Sequence, residues 1–307
     1  MGLRIRTNVT SLTAQRHFSD AGKAVAKQTE KLSSGYRINH GADDAAGFAI
    51  AEVLKADVRS LNQARRNAND AVSLVQTAEG GLDEISNIMT RLRELSVQSA
   101  SDTIGVRERR YLNEEFMALK DEVDRIAIST EFNGTRLLAG NAELPEELRK
   151  DHNWSPLEIQ VGKDYFHQSD SLESNAPINI IRMNMDKFNA MTEGEGSLGL
   201  GGSQNAEGTR IDTKVGAQSS ITQINKAMES IASYRGSLGA VQNRLESTDR
   251  NIAIQVESLS AARSRIKDAD FAAESAEYTQ QNILQQAGAS VLAQANQLPQ
   301  IALKLLQ

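Results

Sequence analysis

Residues 61–92, LNQARRNANDAVSLVQTAEGGLDEISNIMTRL, contain the pattern that decides the fold of this chain. Ten apolar side chains recur there at alternating spacings of three and four residues, which predicts one helix with a continuous buried stripe. These side chains are Leu61, Ala64, Ala68, Ala71, Val75, Ala78, Leu82, Ile85, Met89 and Leu92. The Gly80-Gly81 pair inside the stripe costs about 1 kcal/mol per glycine relative to alanine, so packing must compensate for it.

Apolar stripes of the same period occur at both ends of the chain. The N-terminal stripe residues are Ile5, Val9 and Leu12, followed in a second register by Phe18, Val25 and Leu32, and the C-terminal ones are Leu284, Val291, Leu298, Ile301 and Leu305. Residues 280–307 contain a single charged side chain, Lys304. Chain ends are usually polar and exposed, so these stripes predict terminal helices that are buried against something.

The composition narrows the class of protein. Aromatic residues make up only 4% of the 307 residues and cysteine is absent, which favours long packed helices and excludes disulfides and thiol chemistry. The net charge of −6 argues against nucleic acid as the main partner. No run reaches about 18 apolar residues, so no membrane-spanning helix is expected, and the N-terminus lacks the apolar core of a cleaved signal peptide.

The middle of the chain differs from both flanks. Residues 141–208 contain three of the four prolines and the glycine-rich run GEGSLGLGG (194–202), which end helices. Two short runs with β-branched alternation, LEIQVG (157–162) and INIIRM (178–183), predict two strands of a hairpin or small sheet. Neither strand is long enough to be stable alone, so we expect them to pack on the helices.

We therefore expect a mainly α fold, a long antiparallel coiled-coil bundle formed by both chain ends, with a small β-hairpin in the middle. The predicted divisions are a terminal helical domain (1–41 plus 267–307), a long-helix bundle (42–140 plus 209–266) and a hairpin and loop region packed on that bundle (141–208). Residues 1–40 have seven positive and two negative side chains, net +5, and residues 268–307 have one positive and four negative, net −3. These opposite charges favour pairing of the two ends. Further copies of the chain could cover the apolar surface that the pair of helices leaves exposed.

No motif predicts catalysis, a cofactor or a metal. The four histidines are far apart, and neither a phosphate-binding glycine loop nor a nucleophile elbow occurs. Asp43 and Asp44 are adjacent and would point apart on a helix, so we interpret them as residues that begin the next helix. The sequence favours a structural protein over an enzyme.

Long segments of both flanks resemble bacterial flagellin. On the N-terminal side these are LSSGYRINHGADDAAGFAIAE (32–52), RNANDAVSLVQTAEGGLDEI (66–85), RLRELSVQSA (91–100) and TEFNGTRLL (130–138). On the C-terminal side the longest are ARSRIKDADFAAESAE (262–277) and ILQQAGASVLAQANQLPQIALKLL (283–306). The resemblance covers about residues 1–140 and 209–307 and does not include the middle of the chain.

The resemblance implies a subunit of the extracellular flagellar filament that serves swimming motility. The middle of the chain, residues 141–208, leaves room for the hairpin and a loop, so we expect no large outer domain. It implies export through the flagellar type III channel and polymerisation through the terminal helices. The implied partners are identical subunits, an export chaperone at the C-terminal helix, and hook-associated and cap proteins, with neither nucleic acid nor membrane among them.

Flagellins also share a patch that an animal innate immune receptor reads. The matching residues in this chain are Arg91, Leu95, Gln98 and Glu115. Alternatively, this patch packs against neighbouring subunits in the filament, which we expect to be its primary role.

Two rival interpretations remain open. A hook–filament junction protein would share the terminal helices, although QQAGASVLAQANQLPQ (285–300) and GADDAAGFAIAE (41–52) are more complete than such a protein would need. A membrane-active secreted helical protein would need a basic polar face, which the nearly uncharged C-terminus does not provide.

Overall fold

The structure is a computed structural model that describes residues 8–140, 156–164, 179–185, 188–194, 196–202 and 208–304, without the side chains of 298–304. In this part of the chain the helices are α1 (Val9–Ser34), α2 (Ala45–Ala100), α3 (Val106–Ser129), α4 (Lys214–Lys267) and α5 (Phe271–Lys304). The strands are β1 (Glu131–Phe132), β2 (Thr135–Arg136), β3 (Leu157–Gln160) and β4 (Ile180–Met183). The predicted mainly α fold with a small β element is confirmed.

The chain forms two compact units, Met1–Arg59 with Val256–Gln307, and Ser60–Gln255. The first unit is built around an antiparallel pair of α1 and α5. Asn8 caps α1 by accepting a hydrogen bond from the Ser11 N–H at 3.0 Å, and its amide donates to the Ala295 carbonyl at 2.8 Å. Near the other end of α1, Lys31 forms an ion pair with Glu274 at 3.1 Å. The predicted pairing of the two chain ends is therefore confirmed.

The two aspartates before α2 have different functions. Asp44 caps the helix, since its Oδ1 accepts a hydrogen bond from the Gly47 N–H at 2.9 Å, as the sequence predicted. Asp43 instead fixes the preceding turn: it accepts from the His40 N–H at 3.2 Å and forms an ion pair with Lys27 at 2.7 Å. The hydrogen bond from Lys27 is the main reason that the pKa of Asp43 is lowered to about 2.

The second unit has a continuous apolar core along α2. All ten stripe residues predicted from residues 61–92 are at most 5% exposed. Phe116 and Val123 of α3 and Ile224, Leu238 and Leu245 of α4 belong to the same core. The structure therefore buries every residue of the predicted stripe, and it also buries Leu74 and Leu95 of the same helix, which the stripe did not include.

The predicted middle strands pair as expected. β3 and β4 are antiparallel, with Ile159 opposite Ile181, and both side chains belong to the core of the second unit. A second hairpin joins β1 and β2 through Asn133 (φ 50°) and Gly134 (φ 78°). Two consecutive residues with positive φ are typical of the tight turn that an Asn-Gly dipeptide favours.

The adjacent glycines inside α2 have different surroundings, which gives a matched pair of predictions. A methyl group on Gly81 would lie 2.7 Å from Thr130 Oγ1 and 2.8 Å from Leu138 Cδ1, whereas nothing lies within 4 Å of one on Gly80. Gly81→Ala should destabilise the fold by roughly 1–3 kcal/mol through overpacking. Gly80→Ala should stabilise it by roughly 0.5–1 kcal/mol, because alanine favours the helix. Urea denaturation measures both, and shifts of the same sign would contradict this packing.

Candidate assembly surface

The helix α5 has both covered and exposed apolar positions. On the side towards α1, Gly288 lies beside Phe18, and Ala295 is only 6% exposed. Leu284 and Val291 are three or four residues from these positions and lie at the margin of that side, where they expose 50% and 55% of their surface, and the neighbouring Ile283 exposes 60%. Two residues of the predicted C-terminal stripe thus remain uncovered although α5 is already paired with α1.

The helix α1 shows the same division. Phe18, Val25 and Leu32, the second predicted register, are half-buried. Val9 and Leu12, from the first register, are 57% and 58% exposed. The structure therefore separates the predicted residues of α1 into a group that is partly covered within the chain and a group that is free to contact something else.

The remaining predicted assembly residues are not fully described by the structure. Ile5 and Leu305 lie outside the described residues, and of Leu298 and Ile301 only the backbone is described. No charged residue occurs from Tyr278 to Leu303, so a contact on this part of α5 would not have to desolvate a charge.

A charged cluster secures the end of α4 within the first unit. The Lys267 ammonium lies 3.2 Å from Glu52 Oε1 and 5.1 Å and 5.5 Å from the ring centroids of Tyr36 and Phe48. The Arg37 N–H donates to the Lys267 carbonyl at 2.7 Å. The aromatic faces stabilise the cation, so this cluster fastens the segment before α2 to the end of α4.

The predicted receptor patch divides into surface and core. Arg91 donates to Glu115 at 2.8 Å and to Glu94 at 3.0 Å, and Gln98 is exposed on the same helix as Arg91. Leu95 has no exposed surface and packs in the core of the second unit. The exposed part of the predicted patch therefore consists of Arg91, Gln98 and Glu115.

The second unit contains a buried ammonium group that was not predicted from the sequence. Lys120 of α3 has no exposed surface, and its Nζ donates to the carbonyl oxygens of Leu200 at 3.1 Å, Thr209 at 3.4 Å and Gly202 at 3.5 Å. The sequence position of Lys120 could have indicated its burial. Lys120 follows Phe116 by four residues and therefore lies on the buried stripe of α3.

One turn further along α3, Asp124 binds the same irregular segment. Its two carboxylate oxygens accept hydrogen bonds from the Thr192 N–H and the Thr192 hydroxyl, each at 2.7 Å. Burial is the largest influence on this carboxyl and raises its pKa. Lys120 and Asp124 therefore hold the segment before α4 on α3 with charged rather than apolar groups.

Burial lowers the pKa of Lys120 to about 8, which gives a prediction for pH dependence. Between about pH 8 and pH 10.5 the unfolded chain binds a proton on this side chain that the folded chain does not bind, so stability must rise with pH. The lowered pKa of Lys120 should therefore raise the free energy of unfolding by roughly 2–3 kcal/mol over this pH range. Denaturation of the natural chain and of Lys120→Met at about pH 7 and about pH 10 measures it. A stability difference between the two chains that does not change with pH would contradict the prediction.

Within the described residues, no helix combines the length and the hydropathy that crossing a membrane requires.

Comparison with known proteins finds similar sequences in one family. Residues 5–143 match a model of the bacterial flagellin N-terminal helical region, and residues 221–306 match a model of the bacterial flagellin C-terminal helical region. The flagellin of Bacillus subtilis (strain 168) is 38% identical over 99% of this chain and 100% of its own length. Polar flagellin C of Vibrio parahaemolyticus is 34% identical over the whole of both chains. A crystal structure of Bacillus cereus flagellin aligns with 64% of this chain and 94% of its own, at a TM-score of 0.44 and 28% identity.

Both family models lie on the helical flanks, and together they span most of the chain. The sequence identity to two flagellins extends over essentially the full length of each protein. The chain therefore belongs to the bacterial flagellin family, whose members are structural subunits of the flagellar filament and not enzymes.

Proposed function

We propose that this chain polymerises into the flagellar filament through the apolar side chains that α1 and α5 leave uncovered. The observation that carries the proposal is the exposure of Leu284 and Val291, both at least 50%, on a helix that is already paired. Val9 and Leu12 add two exposed side chains on α1. Each side chain of this size contributes about 1.5–3 kcal/mol when it is fully buried, so covering four would stabilise a subunit contact by several kcal/mol.

In this proposal the terminal segments, 1–41 plus 267–307, form the core of the filament. Phe18, Val25 and Leu32 support the α1–α5 pair within one subunit, and the exposed residues contact the next subunit. The sequence places Ile5, Leu298, Ile301 and Leu305 in the same apolar stripes, so we propose that they take part in assembly as well. Identical subunits joined through unlike surfaces form an open helical polymer when the rotation between neighbours does not close into a ring.

Family membership supports the route that the subunit takes. We propose export through the flagellar type III channel, assembly outside the cell, and use of the filament for swimming. Before assembly the uncovered face of α5 is an apolar patch that would attract other copies, so an export chaperone bound to the C-terminal helix would keep subunits apart. Hook-associated and cap proteins would contact the same terminal helices at the two ends of the filament.

For the free subunit we propose a second contact, with an animal innate immune receptor through Arg91, Gln98 and Glu115. Leu95 would support this surface from the core. The ion pair between Arg91 and Glu115 fixes the polar groups in place before any partner binds. Because neighbouring subunits would cover the same surface, the receptor should respond to monomers and not to intact filaments. A response of equal strength to both forms would contradict this assignment.

Electron microscopy of the purified full chain in a kosmotropic salt tests the assembly proposal, because such salts strengthen apolar burial. Preformed fragments of the same filament, added as seeds, remove the nucleation barrier. We expect long, uniform filaments. Soluble monomers in the presence of seeds would overturn the proposal and favour the hook–filament junction interpretation.

A further inference from the structure

The surroundings of Lys120 resemble a site for a cation more than an ordinary hydrophobic core. Its ammonium group is fully buried and donates to the carbonyl oxygens of Leu200, Gly202 and Thr209. An ammonium group has three N–H donors and no acceptor, so three carbonyls can each accept one of its hydrogen bonds and offset part of the desolvation cost that lowers its pKa. A buried ammonium without such partners would be strongly disfavoured.

The backbone around this group has the shape that the site requires. Gly199 and Gly201 have φ values of 70° and 67°, which L residues with side chains rarely adopt. A methyl group on Gly201 would lie 2.7 Å from the Cα of Gly208. The two irregular segments that contribute carbonyls, at residues 200–202 and at residue 209, therefore approach each other closely only because position 201 is glycine. The Thr209 N–H donates to the Leu200 carbonyl at 2.8 Å and joins the two segments directly.

A second attachment point fixes the site on α3. The Gly201 N–H donates to the carbonyl of Thr192 at 2.9 Å, and Thr192 is held by Asp124, one helical turn from Lys120. The charged groups close enough to influence Lys120 are Asp121, Asp124, Glu193 and Arg210. The three carbonyls are therefore positioned by hydrogen bonds that do not depend on the lysine alone.

We propose that the carbonyls of Leu200, Gly202 and Thr209 form a binding site for a primary ammonium group, and that Lys120 is its built-in ligand. The bound ammonium fastens the glycine-rich segment 196–202 and residue 209 to α3. This device is independent of filament assembly, because it lies within the second unit of a single chain.

Lys120→Met distinguishes a role of the ammonium group from a role of the aliphatic part of the lysine side chain. Methionine keeps an unbranched apolar side chain but has no charge and no N–H donor. Hydrogen exchange at the Gly201 and Thr209 amides reports on the segment, because both amides donate within it. We expect exchange there to accelerate at least about tenfold, as local opening becomes easier. Exchange at Leu82 in the α2 core should stay unchanged, and Lys226→Met, at an exposed position of α4, should affect neither region.

Rescue by an added cation tests the chemistry of the site. Lys120→Ala removes the equivalent of a propylammonium group, so n-propylammonium should restore part of the exchange protection at Gly201 and Thr209. The neutral 1-propanol, of similar size, should not. Equal restoration of the exchange protection by both compounds would overturn the proposal. Protection in Lys120→Met equal to that in the natural chain would overturn it as well. If Lys120→Ala does not fold, the result for Lys120→Met still decides.

Discussion

Replacement of Val291 by aspartate is expected to abolish filament formation while the α1–α5 pair stays folded. Val291 is 55% exposed in the single chain, so the new carboxylate would remain in water there and cost the fold little. In the proposed filament the same carboxylate would be buried without a partner, which costs several kcal/mol. Every 1.4 kcal/mol weakens association about tenfold, so assembly should fail at concentrations where the natural chain polymerises fully.

A neighbouring substitution provides the control for Val291→Asp. Ser290 is also exposed but does not belong to the apolar stripe, so Ser290→Asp adds the same charge beside it. We expect filaments from Ser290→Asp in sedimentation and electron microscopy, and none from Val291→Asp. Normal assembly of Val291→Asp would show that this face does not join subunits. Failure of both variants would attribute the effect to added charge in general.

The second large effect is expected in the core of the second unit. Phe116 of α3 has no exposed surface and lies in the apolar core with the α2 stripe. Phe116→Ala should lower the free energy of unfolding by about 3–5 kcal/mol, because it removes apolar burial and leaves a cavity. Urea denaturation followed by circular dichroism measures this loss.

Tyr111, on the same helix, is the matched control for Phe116. It is 58% exposed, so Tyr111→Ala should change the free energy of unfolding by no more than about 0.5 kcal/mol. Both variants remove a large aromatic side chain from α3, and they differ in burial. Similar losses in the two variants would contradict the assignment of Phe116 to the core and Tyr111 to the surface.

The long helices could be predicted from the sequence because their pattern is long. Ten consecutive apolar positions at alternating spacings leave only one face of α2 to bury, and the structure buries all ten. The Asn133-Gly134 turn was predictable for a local reason, since few residue pairs adopt two consecutive positive φ values. In both places neighbouring residues alone determine the conformation.

The orientation of α5 could not be predicted in the same way. Its apolar ladder identified Leu284 and Val291 as residues that need cover, but it did not indicate that α1 leaves 50% and 55% of their surface exposed. The covered positions beside them include Gly288 and Ala295, which add little to an apolar pattern. A single chain therefore pairs its ends and still leaves these two larger side chains half exposed.

Lys120 was missed because its partners lie far away in the sequence. A lysine on a predicted buried stripe looks like an interruption of the stripe, and only the fold brings the carbonyls of residues 200, 202 and 209 to it. Leu95 was assigned to a surface patch by resemblance to flagellins, whereas tertiary packing places it in the core. Both cases depend on contacts between distant segments, which periodicity does not encode.

The absence of cysteine from this chain allows a direct measurement of the surface that assembles. The thiol of Val291→Cys should react rapidly with iodoacetamide in monomers, because position 291 is exposed, and that of Ala295→Cys should react slowly in both states, because it faces α1. If α5 joins subunits through its exposed face, polymerisation will strongly slow alkylation at position 291. A thiol at position 291 that reacts as fast in filaments as in monomers would contradict the claim.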